Sequence, residues 1–314
     1  MKAVFLDCAT LPHPIEKPQW ISEWTDHSAT PKTAEAVIKA LEDAEICITN
    51  KVPITAAVVQ SSPKLKLICV AATGYDCIDL QACRENGITV VNVPGYATQS
   101  VAESVIGSLF ILRRQLRRYD QLARTVWPES EHFCVHDAPI LDIAGATLGI
   151  FGHGTIGSEV ARLAKTLGMN VLLAEHRGRP SLREGYTRFE EVIARSDVIS
   201  LHSPLMPATV GMIGHAEISR MKTGALIINT SRGGLIQEAA LIDGLETGHL
   251  GGAALDVLST EPPPENLALL HCKHPNLLIT PHVAWASQSG LAALSRGITQ
   301  NLEAYHLGHP INVV

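Results

Sequence analysis

Short apolar runs alternate with longer amphipathic stretches almost throughout the chain. Many of these runs are continuous and rich in β-branched residues, which is typical of strands buried on both faces of a parallel sheet. The predicted strands are residues 3–6, 46–49, 65–72, 88–93, 147–151, 171–174, 198–201, 225–229, 252–257 and 277–280. Helical patterns lie between them, for example at residues 157–167, 189–194 and 238–247. The alternation predicts βαβ units and therefore an α/β fold with parallel sheets.

The alternation is interrupted once, near residue 100. Ser100 and Glu103 have the spacing of a capping box, which predicts a helix from Ser100 to about Arg118, followed by a polar stretch through Asp137. Two βα series flank this helix, and the segment after about residue 286 is again helical in pattern. We therefore predict two doubly wound lobes, a discontinuous first lobe (1–97 and 286–314) around a second lobe (98–285), with a cleft between them.

A glycine-rich turn follows the predicted strand at 147–151. Gly152, Gly154 and Gly157 fit the spacing GxGxxG and lie between a strand and a helix, as a dinucleotide-binding turn requires. The first glycine would permit the tight turn, the second would let the backbone approach a pyrophosphate, and the third would let helix and strand pack closely. The amides of Thr155 and Ile156 would then meet the phosphates at the positive end of the helix.

The next predicted strand is followed by Glu175, about 20 residues after the glycine motif. A carboxylate at this place accepts the ribose hydroxyls and repels a 2′-phosphate, which favours NAD. Arg177 and Arg179 follow closely and could hold a 2′-phosphate, so NADP remains an alternative.

Three further elements carry candidate chemistry. The chain has Asn-Thr-Ser-Arg-Gly-Gly at 229–234, Leu-Asp-Val at 255–257 followed by Glu261-Pro262, and Pro-His-Val-Ala-Trp at 281–285. With the glycine motif, in this order and spacing, they resemble the D-isomer-specific 2-hydroxyacid dehydrogenase family over essentially the whole chain. Within that family, Ala-Trp-Ala-Ser at 284–287 and Asn-Lys-Val-Pro at 50–53 are similar to the glycerate dehydrogenase, or hydroxypyruvate reductase, branch.

The resemblance implies a Rossmann nucleotide domain inserted in a flavodoxin-like substrate domain. It also implies that His282 is the general acid for reduction of a 2-ketoacid, a task that suits an unperturbed histidine pKa of ~6.5. Glu261 would fix the tautomer of His282 and favour the imidazolium, and Arg232 would bind the substrate carboxylate and polarise its carbonyl.

The remaining implied site residues fall into two groups. Further cofactor contacts are expected at Pro204, Thr209, Thr230, Ser231 and Asp256, with Asp256 near the nicotinamide. Substrate contacts are expected at Asn50, Lys51, Thr73, Gly74, Arg232 and Trp285.

Composition limits the class of protein and its expected partners and location. The net charge of -6 argues against a broad nucleic-acid surface, and 46% hydrophobic with 18% charged residues indicates a globular protein. The apolar run at the start of the chain is too short for a signal peptide. No apolar stretch approaches the length of a membrane span. Seven cysteines without CxxC spacing indicate reduced thiols and a cytoplasmic location, and no ligand cluster predicts a metal.

Other functions remain open at this point. A phosphoglycerate dehydrogenase-like enzyme shares the motifs, although the chain ends at Val314 without the extra domain that many of those enzymes carry. A nucleotide-sensing corepressor can use the same scaffold without catalysis. The resemblance also implies a homodimer with residues 100–137 at the interface.

Overall fold

The computed structural model describes residues 1–314 and divides them into two compact units. The first unit is Met1–Ala97 with Ala286–Val314, and the second is Thr98–Trp285. None of the helices has the length and apolar character needed to span a bilayer.

The first unit is a five-stranded sheet whose strands are all parallel. The strands are β1 (Lys2–Phe5), β2 (Glu23–Asp26), β3 (Ile46–Thr49), β4 (Leu67–Val70) and β5 (Thr89–Val91). The helices are α1 (Ala34–Leu41), α2 (Ala56–Gln60) and α3 (Leu80–Glu85), joined by the last helix of the chain, α11 (Gln288–His306). The strand order β2-β1-β3-β4-β5 is the flavodoxin-like order, so the carboxyl ends of all five strands share one edge.

The second unit contains a seven-stranded parallel sheet. Its strands are β6 (Thr147–Phe151), β7 (Asn170–Ala174), β8 (Tyr186–Thr187), β9 (Val198–Leu201), β10 (Ala225–Asn229), β11 (Leu250–Leu255) and β12 (Leu277–Ile279). Its helices are α4 (Thr98–Arg113), α5 (Leu116–Thr125), α6 (Thr155–Thr166), α7 (Phe189–Arg195), α8 (His215–Ile218), α9 (Glu238–Glu246) and α10 (Ala268–His271).

The strand order of this sheet is β12-β11-β10-β9-β6-β7-β8. Six of the strands follow the Rossmann order, and the order reverses between β6 and β9, where such sheets bind ligands. Ile227 packs into the apolar cluster on one face, while its neighbours Leu226 and Ile228 pack into the cluster on the other. Burial on both faces explains the continuous apolar runs of the sequence. The predicted α/β fold with two parallel sheets is confirmed.

The predicted capping box at Ser100 is wrong. Helix α4 already begins at Thr98, so Ser100 is inside its first turn, and its hydroxyl donates to the carbonyl oxygen of Ala284 at 2.6 Å. Glu103 instead accepts from the side chain of Gln99 at 2.7 Å. The hydroxyl and the carboxylate of the apparent motif therefore serve other contacts.

The single helix predicted from residue 100 to 118 is two helices. Gln115 adopts a left-handed backbone (φ 53°) between α4 and α5. Before the break, the buried Arg113 donates through Nε and Nη2 to the carbonyl oxygen of Asp142, and after it Tyr119 donates to the carbonyl oxygen of Ala138. The returning segment thus holds the ends of both helices, a tertiary constraint that helical periodicity does not contain.

Candidate active site and cofactor cavity

The glycine-rich turn joins β6 to α6 at the reversal of strand order. Gly152 has φ +98°, and a Cβ there would lie 2.6 Å from the backbone of His202 and Ser203. A Cβ on Gly157 would lie 2.1 Å from the carbonyl oxygen of Gly152. A Cβ on Gly154, by contrast, meets nothing within 4 Å. Gly152 and Gly157 are therefore needed for packing, whereas Gly154 keeps side-chain atoms away from the start of the helix.

A cavity of about 370 Å³ lies in front of this turn. Helix α6 begins there with Gly154 as its N-cap and without a side-chain cap, so the positive helix end is accessible to an anion. The cavity is lined by Phe151, Gly152, His153, Gly154, Ala174, Glu175, His176, Arg177, Arg183, Tyr186, Phe189, His202, Ser203, Pro204, Ala208, Thr209 and Met212. The glycine packing and the uncapped start of α6 fit the pyrophosphate of a dinucleotide.

Glu175 is buried at the end of β7, with 3% of its surface exposed. Its carboxylate accepts from Nε and Nη2 of Arg183 at 2.9 and 2.7 Å and from the backbone amide of His176 at 2.8 Å. The hydrogen bonds from Arg183 lower the pKa of Glu175 to about 2. Arg183 was not predicted from the sequence, because a loop arginine eight positions downstream of a strand has no motif to mark it.

The two arginines expected to favour a 2′-phosphate have partners within this unit. Arg177 donates to Glu217 at 2.7 Å, and its guanidinium lies 4.3 Å from the ring centroid of Phe189. Arg179 lies 3.7 Å from the carboxylate of Glu175. Arg177 and Arg183 line the cavity, while Arg179 and Arg183 lie beside the carboxylate of Glu175.

Two polar atoms at neighbouring strand ends are buried without a protein partner: Nδ1 of His202 after β9 and Oγ1 of Thr230 after β10. The other ring nitrogen of His202 lies 2.9 Å from the hydroxyl of Ser200, and burial lowers the pKa of His202 to about 4. Burying a polar atom without a hydrogen bond costs free energy. Such atoms are therefore expected where a bound ligand supplies the missing partner. In the same region, Thr209 donates to the carbonyl oxygen of Pro204 at 2.7 Å.

His282 and Glu261 form a hydrogen-bonded pair suited to acid–base catalysis. Nδ1 of His282 lies 2.7 Å from Oε2 of Glu261, and the other carboxylate oxygen accepts from the amide of Leu258 at 3.0 Å. With Nδ1–H donating to the carboxylate, Nε2 is the ring nitrogen left for proton transfer.

The backbone of His282 is left-handed (φ 55°), a conformation that the surrounding contacts hold in place. The buried carboxylate of Asp256 accepts from Oγ1 of Thr280 and from the amides of Val283 and Ala284, the last two at 2.9 Å. The indole of Trp285 donates to the carbonyl oxygen of His282 at 2.9 Å. Asp256 and Trp285, predicted as cofactor and substrate contacts, therefore also fix the loop that carries His282.

Arg232 follows β10, which pairs with β11, the strand that precedes Glu261; β11 in turn pairs with β12, the strand that precedes His282. In the register of the sheet, Asn229 pairs with Leu255 and Leu255 with Ile279, so Arg232, Glu261 and His282 follow the carboxyl ends of three adjacent strands. A Cβ on Gly233 would lie 1.9 Å from the carbonyl carbon of Leu258, so the arginine loop packs against the glutamate loop. The amide of Ser231 donates to the side chain of Asn229.

In the first unit, the predicted substrate residues also follow strand ends. Asn50 and Lys51 follow β3, and their backbone amides donate to the carboxylate of Asp7 at 2.8 and 2.7 Å. After β4, the hydroxyl of Thr73 donates to the carbonyl oxygen of Val93 at 3.0 Å, and Gly74 comes next. Asp7 was not predicted from the sequence.

A Rossmann unit with a glycine-rich turn and a histidine–carboxylate pair defines a nucleotide-dependent dehydrogenase. Residues 106–284 match the model of the D-isomer specific 2-hydroxyacid dehydrogenase, NAD binding domain, and the chain belongs to that family. It is thus an NAD-dependent oxidoreductase that acts on the CH–OH group of 2-hydroxyacids, and the predicted family and cofactor class are confirmed.

Individual relatives agree with this assignment over nearly full lengths. A glycerate dehydrogenase of Methylorubrum extorquens is 43% identical over 100% of this chain and 98% of its own. A hydroxypyruvate reductase of Blautia hydrogenotrophica is 37% identical over 89% and 88% of the two chains. A solved NADPH-dependent glyoxylate/hydroxypyruvate reductase of Sinorhizobium meliloti, in complex with NADP and malonate, matches with a TM-score of 0.82 and 26% identity, covering 100% and 96%.

Proposed function

We propose that this enzyme reduces short 2-ketoacids of the hydroxypyruvate and glyoxylate type to 2-hydroxyacids, with NADH as the preferred donor. The names of the relatives support this substrate class. The observation that carries the chemistry is the 2.7 Å bond between His282 Nδ1 and Glu261 Oε2, on loops that follow the carboxyl ends of the Rossmann sheet.

In the proposed reaction, a bound nicotinamide cofactor would supply the hydride for the carbonyl carbon. His282 donates the proton from Nε2 to the carbonyl oxygen, and in the oxidative direction the same nitrogen accepts it. Glu261 keeps the ring oriented and balances the imidazolium charge before the proton leaves. Arg232 binds the substrate carboxylate with its planar fork and withdraws electron density from the adjacent carbonyl.

The proposed substrate contacts in the first unit are Asn50, Lys51, Thr73 and Gly74. The backbone amides near Thr73 and Gly74 suit a carboxylate, and Lys51 adds a positive charge. In the second unit, Trp285 lies next to the loop of His282 and would limit the size of the substrate side chain.

Some of the proposed cofactor contacts line the 370 Å³ cavity, and the others lie at the start of α6 or follow the ends of neighbouring strands. The amides of Thr155 and Ile156 suit the pyrophosphate, and the unpaired hydroxyl of Thr230 suits a hydrogen bond near the nicotinamide end. The full proposed set is Gly152, Gly154, Thr155, Ile156, Gly157, Glu175, Pro204, Thr209, Thr230, Ser231 and Asp256.

A kinetic panel tests the substrate proposal. Hydroxypyruvate, glyoxylate, pyruvate and phosphohydroxypyruvate are each supplied with NADH and with NADPH, and oxidation of the cofactor is followed. Highest kcat/KM with hydroxypyruvate or glyoxylate is expected. Preference for phosphohydroxypyruvate would assign the enzyme to phosphoglycerate chemistry, and cofactor binding without turnover of any ketoacid would favour a sensing role.

Cofactor choice should depend on the charge of Glu175. Replacing it with glutamine removes the negative charge and leaves Arg183 in place, so the ratio of kcat/KM for NADPH to that for NADH should rise by about tenfold, equivalent to about 1.4 kcal/mol. Arg183→Ala is the reciprocal variant, since it removes the cation and should lower NADPH use. A ratio that stays constant in both variants would exclude the pair as the determinant.

We also propose that the enzyme is a cytoplasmic homodimer. Seven free thiols support a reducing compartment, which cell fractionation can test.

The proposed dimer rests on exposed apolar side chains. The segment from α4 to residue 141 exposes large apolar side chains that a second copy could cover: Phe110, Leu116, Val126, Trp127, Phe133, Ile140 and Leu141. Phe133 is 90% exposed, so Phe133→Asp should weaken a dimer in sedimentation experiments, whereas a wild-type monomer would refute the dimer.

A further inference from the structure

The buried carboxylate of Asp7 holds the turn after β3. Asp7 is only 5% exposed and follows β1, the strand that pairs with β3. Its two oxygens accept from consecutive backbone amides: Oδ1 from Asn50 at 2.8 Å and Oδ2 from Lys51 at 2.7 Å. Both amides lie beyond the last ladder residue of β3, so this side chain supplies bonds that a neighbouring strand would otherwise provide.

Side chains complete the attachment of this turn. The amide of Val52 donates to the hydroxyl of Thr49 at 3.0 Å, which closes the turn locally. The side-chain amide of Asn50 donates to the hydroxyl of Thr10 at 3.1 Å, and that hydroxyl donates to the carbonyl oxygen of Asp7 at 2.7 Å. The position of Asn50 is thus fixed through both its backbone and its side chain.

Burying this carboxylate has a thermodynamic cost. Desolvation raises the pKa of Asp7 above its ordinary value, while the hydrogen bonds from Asn50 and Lys51 oppose that shift. A buried ionisable group is weak as a source of net stability, but it can select one local geometry because its oxygens accept only from correctly placed donors. Asp7 therefore contributes more to the geometry of this turn than to the net stability of the fold.

We propose that Asp7 is a positioning residue for substrate binding, which acts by setting the orientation of the Asn50–Lys51 turn. The inference rests on the proposed role of Asn50 and Lys51 as substrate contacts. An error of about 1 Å in such a turn can cost up to about 10²-fold in catalytic efficiency. Asp7 itself does not touch the reacting atoms in this scheme.

The Asp7→Asn variant tests the proposal, because asparagine has the same shape but keeps only one acceptor oxygen for the two amides. The KM for hydroxypyruvate or glyoxylate should rise by about ten- to a hundredfold. The change in kcat should be smaller, and the KM for NADH should stay unchanged since the cofactor cavity lies in the second unit.

A double-mutant cycle separates positioning from general damage. If Asp7 acts through the turn, Asp7→Asn should add little to the KM of a variant that already carries both Asn50→Ala and Lys51→Ala, whereas independent effects would multiply. Asp79→Ala is the matched control, since it removes a carboxylate that caps α3 in the same unit and should lower thermal stability without raising the substrate KM.

The outcomes distinguish this inference from the proposed function. An active wild-type enzyme in which Asp7→Asn changes only the melting temperature would overturn the role of Asp7 and leave the function intact. Multiplicative effects in the cycle would likewise overturn the role of Asp7 alone. A wild-type protein that turns over no 2-ketoacid would instead overturn the proposed function.

Discussion

Replacing His282 with alanine should lower kcat for 2-ketoacid reduction by about 10²–10⁴-fold, the usual range for loss of a positioned acid–base group. The variant loses the proton donor and removes the 2.7 Å contact with Glu261. The affinity for NADH should change little, because the proposed role of His282 is proton transfer to the substrate and not contact with the cofactor. Steady-state rates and a fluorescence titration with NADH measure the two quantities separately.

His215→Ala is a suitable control because His215 is an exposed histidine of the same unit, 3.8 Å from Asp243, and its loss should leave kcat unchanged. A His282→Ala enzyme that retains a rate within tenfold of wild type would show that another group transfers the proton.

Glu261→Gln examines the partner of the histidine. The amide of glutamine can present an N–H to Nδ1, which would leave the proton on Nε2 in the neutral ring and remove the acceptor needed for oxidation. Loss of activity in this variant should not multiply with that of His282→Ala, since residues that act as one unit are non-additive.

The buried strands could be predicted from the sequence because they appear as continuous apolar runs. Strand β10 was predicted with its observed bounds, since every residue from Ala225 to Asn229 is buried. The edge strands β2 and β8 were not predicted, because neither contains a fully buried residue and their polar positions carry no strand periodicity. The break at Gln115 was missed for a similar reason: it depends on contacts with residues 138–142.

The candidate site divides in the same way. Arg232, Glu261 and His282 were identified because each belongs to a local motif at a strand end, and the order of the motifs is visible in one dimension. Asp7 was missed because it binds amides 43 and 44 positions away, which it reaches only because the sheet brings strand ends together. Arg183 lies eight positions after Glu175 and was missed because no local motif marks a loop arginine.

Asp256 shows why a motif position does not define a role. The sequence placed it near the nicotinamide, yet its carboxylate accepts from two amides on the loop that carries His282. Its backbone oxygen also accepts from the amide of His282 at 2.8 Å. A residue with these contacts organises the catalytic loop whether or not it also meets the cofactor.

Arg232→Lys should lower kcat/KM for the ketoacid by about 10²–10³-fold while keeping the positive charge. Lysine supplies a single ammonium in place of a planar fork, so it can neither bind the carboxylate through two parallel bonds nor keep one nitrogen near the carbonyl. The KM for the ketoacid should rise and kcat should fall together, because the lost interaction strengthens as the carbonyl is reduced.

The controls for Arg232 separate geometry from charge. Arg195→Lys makes the same change at an exposed arginine 4.0 Å from Glu191 and should have no kinetic effect. Arg232→Gln removes the charge as well, and a further loss beyond the lysine variant would measure the electrostatic part. A lysine variant within threefold of wild type would mean that a positive charge suffices at this position and that the planar fork of Arg232 does not orient the carboxylate. The amides near Thr73 and Gly74 would then set the orientation of the carboxylate, and substitutions in that loop should produce the larger increase in KM.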